Sequence, residues 1–237
     1  DFSAQILAQE EGQLELDRTV PEGSGTTLEI SAGEEAPLLA LRLITQTPLE
    51  ENFPPMRMRL GTTRGTNALL EHKGDPPLLV ITEGWRDLPR IGDQTRKDLF
   101  ALKVERAEPY HGPVWELPER IDARGQVEKA LTQENLRKLK AYCVEEKIDN
   151  AVVALTNSFR NPDHEQQVKT LLQEAGLSYI TTSQELSNEI HFLRRCETAI
   201  ANAYLRPVLD QYLAPIRDKV EQLSIMTSAG SLVRQEH

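Results

Sequence analysis

The order of apolar runs and helical stretches predicts an α/β fold: a mainly parallel sheet flanked by helices, with a small N-terminal β layer and an inserted β-hairpin. Three observations carry this. From Met56 onward, apolar strand-like runs alternate with amphipathic stretches. Two runs, PPLLVITEG (76–84) and NAVVALTNS (150–158), are almost wholly apolar, as strands covered on both faces should be. The 237 residues show ordinary globular composition, with 39% hydrophobic and 27% charged residues and a mean hydropathy of −0.46.

In chain order, SAQILAQEEGQLELDR (3–18) alternates apolar and polar residues around EEG and predicts a β-hairpin, with a third strand at TTLEIS (26–31). A helix is expected over 34–45, where acidic residues open a stretch with apolar positions at helical spacing. The diproline segment ENFPP (51–55) marks a boundary. MRMRLG (56–61) reads as a strand, TNALLEHKG (66–74) as a helix and PPLLVITEG as a buried strand. VWELPERID and QVEKAL, joined by Ala-Arg-Gly at 123–125, form the expected inserted hairpin. Thr132 caps an amphipathic helix that places Leu136, Leu139, Cys143 and Val144 on one face. After the strand NAVVALTNS, PDHEQQVKTLLQEAG opens with proline and closes with glycine, the expected punctuation of a helix. LSYITTS (177–183) and LSIMTSAG (223–230) are strands. The long helical region between them contains Pro207 and Pro215, which should kink or divide it. The domains expected are 1–55, 56–206 and the beginning of a further one at 207–237.

Charge and cysteine usage exclude several functions. With 37 acidic against 27 basic side chains and a net charge of −10, the chain is no candidate for nucleic-acid binding. No apolar run approaches membrane-spanning length, and no signal peptide is legible. Cys143 and Cys196 have no CxxC or Cys/His spacing suited to zinc and are expected to be reduced thiols of a cytosolic protein. The chain begins at Asp1 without methionine and stops at SLVRQEH, which raises the expectation of a piece cut from a longer polypeptide.

Four polar constellations can carry chemistry. Gly61 to Asn67 follows a strand and opens a helix, so its small donors can cradle a phosphate or carboxylate, or simply cap a tight turn. It contains no Walker A Gly-Lys-Ser/Thr. RIGDQTRKDLF gathers Asp93, Gln94, Arg96 and Asp98 in a loop after an apolar strand, as part of a site or as a solvated loop with surface ion pairs. NSFRNPDHE sets Asn157, Ser158, Arg160, Asn161 and His164 at the end of the most apolar strand, a pocket rim or a plain strand-to-helix turn with Asn161 as cap. Arg195, Thr198 and Asn202 share one helix face, expected to be solvent-facing. Glu119, Arg120 and Asp122 read as structural members of the hairpin. No Ser/His/Asp set, metal cluster or paired carboxylates stands out.

Taken together, these segments resemble the hydantoinase/oxoprolinase family in its A-type, N-terminal half. RLGTTRGTNALLEHKG (59–74) is similar to the family's GTT-x-x-TNALLERKG signature, and LLVITEGWRDLPRIGDQTRKDLFAL (78–102) to its LLVT-x-GFRDLL-x-IG-x-Q-x-R-x-x-LF-x-L stretch. NSFRNPDHEQQV resembles HSYRNPAHE; TSQELSNEI and RRCETAIANAYLRPVL resemble SSE-x-x-P-x-I, R-x-x-T and NAYL-x-PVL; IMTSAGSLV resembles MTSAGGLV. The likeness spans roughly residues 34 to 237. It implies part of an actin-like ATPase fold and an enzyme that uses ATP and Mg²⁺ to open 5-oxoproline or hydantoin rings by phosphorylating the carbonyl oxygen, with relatives that carboxylate ketones. A small cyclic amide, a B-type partner half and a possible homo-oligomer are the partners implied. Under that resemblance Thr62, Thr63, Arg64 and Asn67 would form the donor cradle, Asp93 and Arg96 would orient the loop, and Arg195 would pair with a carboxylate.

The chain also departs from the family. Its glycine-rich GGTFTD phosphate loop is absent here, so neither a complete ATP site nor a bound cofactor is expected in this chain alone. Asn157 stands where many relatives have histidine, Asn188 where proline is common, Cys196 where some have glycine and Ser231 where glycine is usual. Two competing expectations remain: a carboxylase subunit of the acetone or acetophenone type, which would share the activation step but use bicarbonate, and a non-catalytic scaffold or subunit-contact module whose polar turns merely cap helices.

Overall fold

The structure is a computed structural model that describes residues 4, 6–10, 13–21, 33–95, 100, 108–227 and 230–234. The strand expected at 26–31 and the site candidates Arg96 and Asp98 lie outside the described residues. In chain order the elements are β1 (Ile6–Glu10), β2 (Gln13–Leu16), α1 (Ala36–Thr45), β3 (Arg57–Leu60), α2 (Arg64–Leu70), β4 (Leu78–Thr82), α3 (Leu88–Ile91), β5 (Val114–Leu117), β6 (Arg120–Ile121) and β7 (Val127–Lys129). They continue with α4 (Gln133–Glu145), β8 (Asn150–Ala154), α5 (Asp163–Glu174), β9 (Tyr179–Thr182), α6 (Ser183–Leu186), α7 (Phe192–Arg217), β10 (Gln222–Met226) and β11 (Leu232–Arg234). Two compact units result, Asp1–Asn52 and Phe53–His237.

In the first unit, β1 and β2 pair antiparallel, with a register shift between Ile6 and Ala8. α1 has proline in its first turn and ends on Gln46 in the left-handed region at φ 56°. Its Arg42 is buried and grips both carboxylate oxygens of Glu34 at 2.6 and 2.7 Å and the Glu51 carbonyl at 3.1 Å. This fork holds α1 to the segments before and after it.

The second unit is built on a four-stranded parallel sheet in the order β5-β4-β8-β9. Alternation along the two central strands explains why both are apolar throughout. Leu78, Val80, Ala151 and Val153 pack with Leu136, Leu139 and Cys143 of α4 and Val168 and Leu172 of α5. Leu79, Ile81, Val152 and Ala154 pack on the other face with Cys196, Ala199, Ile200 and Ala203 of α7. Every residue of β4 and β8 is therefore buried, with helices covering both faces.

Four details differ from the expectations. β3 does not join the main sheet; it pairs parallel with β10 in a separate three-stranded sheet closed by antiparallel β11. The run VWEL becomes the edge strand β5, and only the following pair β6 and β7 forms the hairpin, turning through Gly125 at φ 85° with Asp122 Oδ1 accepting the N–H groups of Arg124 and Gln126. α7 runs unbroken through Pro207 and Pro215, with Pro207 buried against its surroundings, so packing outweighs the lost backbone donors. Val144 is 61% exposed, since it lies about 80° around α4 from Leu136 and clears the buried stripe. The N-cap of α4 is as expected, Thr132 Oγ1 accepting from Asn135 N at 3.2 Å.

Candidate functional site

In open parallel sheets, ligand contacts gather outside the strands' carboxyl ends. Here those ends carry a buried polar cluster. Thr82 closes β4, and Thr156 follows β8; the Thr82 hydroxyl accepts from Thr156 N at 3.0 Å and donates to Glu119 Oε1. Glu119, just before β6, uses its other oxygen, Oε2, to hold Nδ1 of His164 at 2.6 Å. Glu119 and His164 are 1% and 3% exposed. Asn157, at φ 57°, donates its amide to Ile121 O at 2.7 Å, and Asn161 donates to Gly125 O at 3.0 Å. The β6–β7 hairpin is thereby tied to the β8–α5 turn.

A second buried group adjoins the first through the neighbouring residues His164 and Glu165. Glu165 accepts Leu155 N at 2.9 Å, Ser183 Oγ at 2.6 Å and Gln184 N at 3.0 Å. Burial pushes its carboxyl above the usual carboxylate range, opposed by these donors. Arg195, with no exposed surface, donates to Ser183 Oγ at 3.0 Å, Leu155 O at 3.0 Å and Glu189 O at 2.7 Å. Burial lowers the Arg195 pKa, opposed chiefly by the Glu165 charge. The cluster fixes the turns that leave β4, β8 and β9.

The residues anticipated from sequence occupy three separate places. Thr62 Oγ1 accepts from Arg64 N at 3.1 Å, a local turn contact, and the Thr63 side chain makes no cap bond. Arg64 lies over the Tyr212 ring at 5.2 Å, and Asn67 N donates to Thr63 O at 2.9 Å as α2 begins. Asp93 accepts Thr95 N at 3.0 Å and the Thr95 hydroxyl, and these bonds hold its carboxyl below the ordinary range. Arg195 sits inside the cluster rather than on a solvent-facing stripe, whereas Thr198 and Asn202 are exposed. Among the described residues no hydrogen bond or ion pair joins Thr62, Thr63, Arg64 or Asn67 to Asp93 or Arg195.

From sequence Glu119 reads as structural and His164 as part of a pocket rim or of a plain strand-to-helix turn, because the two partners are 45 residues apart. The available signal is His164-Glu165 in the first turn of the helix that follows the most apolar strand. Among the described residues no group of three His, Cys, Asp or Glu could hold a metal ion, and Cys143 and Cys196 are both buried and unpaired. No helix among the described residues is long and apolar enough to cross a membrane.

Residues 24–176 match the hydantoinase/oxoprolinase N-terminal region. The chain belongs to this family. It is 28% identical over 240 aligned residues to the 5-oxoprolinase of Saccharomyces cerevisiae, covering 84% of this chain and 19% of that protein. Against the acetophenone carboxylase gamma subunit of Aromatoleum aromaticum the identity is 26% over 209 residues, covering 77% of this chain and 28% of the relative. The fold matches that of the ATP-dependent caprolactamase from Pseudomonas jessenii with a TM-score of 0.67 at 23% identity, over 97% of this chain and 34% of that one. The chain thus spans about a fifth to a third of the length of these proteins.

Proposed function

We propose that this chain forms the substrate side of an ATP-dependent enzyme that opens cyclic amides of the 5-oxoproline or hydantoin type. The observation that carries the reading is the family match over 24–176, which takes in the whole β4–β8 carboxyl edge. A lactam carbonyl is a poor electrophile, and phosphorylating its oxygen creates the leaving group that hydrolysis needs. ATP and Mg²⁺ would be used by a longer polypeptide, with nucleotide and metal held by groups outside this chain. A B-type half, fused or separate, would complete the enzyme in the cytoplasm, and the chain alone would not turn over.

The test is ADP release by the longer polypeptide with ATP, Mg²⁺ and either 5-oxoproline or hydantoin. Ring-opened product and ADP in equal amounts support the reading; ATP-independent opening, or none with any cyclic amide, contradicts it. The likeness to the acetophenone carboxylase gamma subunit favours a second reading, in which an activated ketone is carboxylated. ADP release that requires a ketone and bicarbonate would select it.

A further inference from the structure

We propose that the Glu119–His164 pair is a proton-transfer unit, with Nε2 of His164 accepting the proton of the water that adds to the amide carbon. This rests on the cyclic-amide reading above and assigns the base that such a reaction requires.

In this assignment Glu119 Oε2 is the acceptor of the 2.6 Å contact and His164 Nδ1 the donor. In the neutral ring Nε2 then carries the lone pair. Glu119 is itself anchored, because its other oxygen accepts from the Thr82 hydroxyl, which in turn accepts from Thr156 N. Both central strands of the sheet therefore set the orientation of the imidazole. A carboxylate that fixes the tautomer and supports the imidazolium is the arrangement by which histidine serves as a general base.

The rest of the cluster is committed elsewhere. Each of the three Arg195 nitrogens has its own acceptor, and both oxygens of Glu165 accept hydrogen bonds. Among the described residues nothing hydrogen-bonds Nε2 of His164. It is the basic atom of the cluster left without an internal role, at the sheet edge where a substrate would lie.

The step balances with the phosphorylated amide of the reading above and two waters. Oxygen of the first water bonds to the amide carbon, whose oxygen carries the phosphoryl group, as one water proton passes to Nε2, giving an imidazolium that Glu119 stabilises. When the carbon–nitrogen bond breaks, its electron pair stays on nitrogen, which takes the proton back from His164, leaving an amine and an acyl phosphate. The second water splits the acyl phosphate into carboxylate and inorganic phosphate, and the imidazole is regenerated at the first of these steps. His164 touches the reacting water and is the catalytic residue; Glu119 acts through it as a positioning residue.

Two measurements test this. In the 237-residue chain labelled with ¹⁵N-histidine, His164 should show a protonated Nδ1 and an unprotonated Nε2 when neutral, and Glu119→Gln should remove that preference. An Nε2-protonated ring overturns the dyad whatever the activity. In the longer polypeptide, once cyclic-amide-dependent ADP release is established, His164→Asn should lower kcat about 10²- to 10⁴-fold. KM should stay within about threefold, because the loss falls on the transition state, and added imidazole should restore part of the rate. Turnover within about tenfold of wild type overturns the catalytic role. If His164→Asn does not fold, Glu119→Gln is read in the same way. No turnover by the wild type would overturn the cyclic-amide reading and the catalytic role with it, while the tautomer still reports on the pair.

Discussion

Replacing Arg195 by alanine probes how strongly the buried cluster holds the fold. The side chain has no exposed surface and satisfies Ser183 Oγ, Leu155 O and Glu189 O, so its loss strands three acceptors and leaves Glu165 without a neighbouring positive charge. Breaking a buried charge network by removing one member typically costs about 3–5 kcal/mol. In a unit spanning Phe53–His237, a loss of that size lowers Tm by roughly 6–20 °C, at ~2–4 °C per kcal/mol. Arg195→Lys keeps the charge but not the fork that reaches all three acceptors, so it should lose about half as much. Urea and thermal denaturation followed by circular dichroism give both values. If Arg195→Ala lies within about 1 kcal/mol of wild type, as an ordinary surface substitution would, the cluster does not bear on stability as argued.

Three further outcomes are expected. A methyl group added at Gly74 would fall inside the ring of Tyr204, itself packed on Tyr110 with centroids 5.0 Å apart; Gly74→Ala should cost about 1–3 kcal/mol, and Tyr204→Leu in the same chain should recover part of it, whereas additive losses would contradict the clash. Burial pushes the Cys143 thiol up to about 11 and Cys196 up to about 12, so at pH 8 neither should react with a disulfide reagent in the native chain and both should react in urea. Fast native labelling would contradict their placement. Because burial raises Glu165 above its ordinary 4.5, the native state binds that proton more tightly than the unfolded chain, and the stability so gained is present below about pH 4.5 and lost as pH rises through the folded value. Urea midpoints should therefore shift in favour of Glu165→Gln relative to wild type between pH 4.5 and 7.5; an opposite shift would mean that the three donors outweigh burial.

Local pattern carried most of the architecture. The apolar runs at β4 and β8, the Thr132 cap and the glycine turn at 123–125 were legible because each depends on residues close in sequence. Pairing partners were not. β3 meets β10, with Arg57 opposite Gln222, and nothing in MRMRLG distinguishes that sheet from the main one. VWEL suits a hairpin arm and an edge strand equally, since both alternate. The stripe of Arg195, Thr198 and Asn202 has one helical spacing, yet only Arg195 reaches the cluster between α6 and the end of β8. The candidate site was legible at its rim, in the segment 157–164, while its centre was hidden by the distance between Glu119 and His164. The resemblance placed emphasis on Thr62 to Asn67, whose observed contacts are those of a local turn and of Tyr212.

The most direct measurement is a crystal structure of the longer polypeptide bound to nucleotide, Mg²⁺ and a non-hydrolysable cyclic amide. The amide carbon should lie beyond the carboxyl ends of β4 and β8, with one water between it and Nε2 of His164. An amide bound away from that edge, with His164 still sealed behind protein, would contradict it.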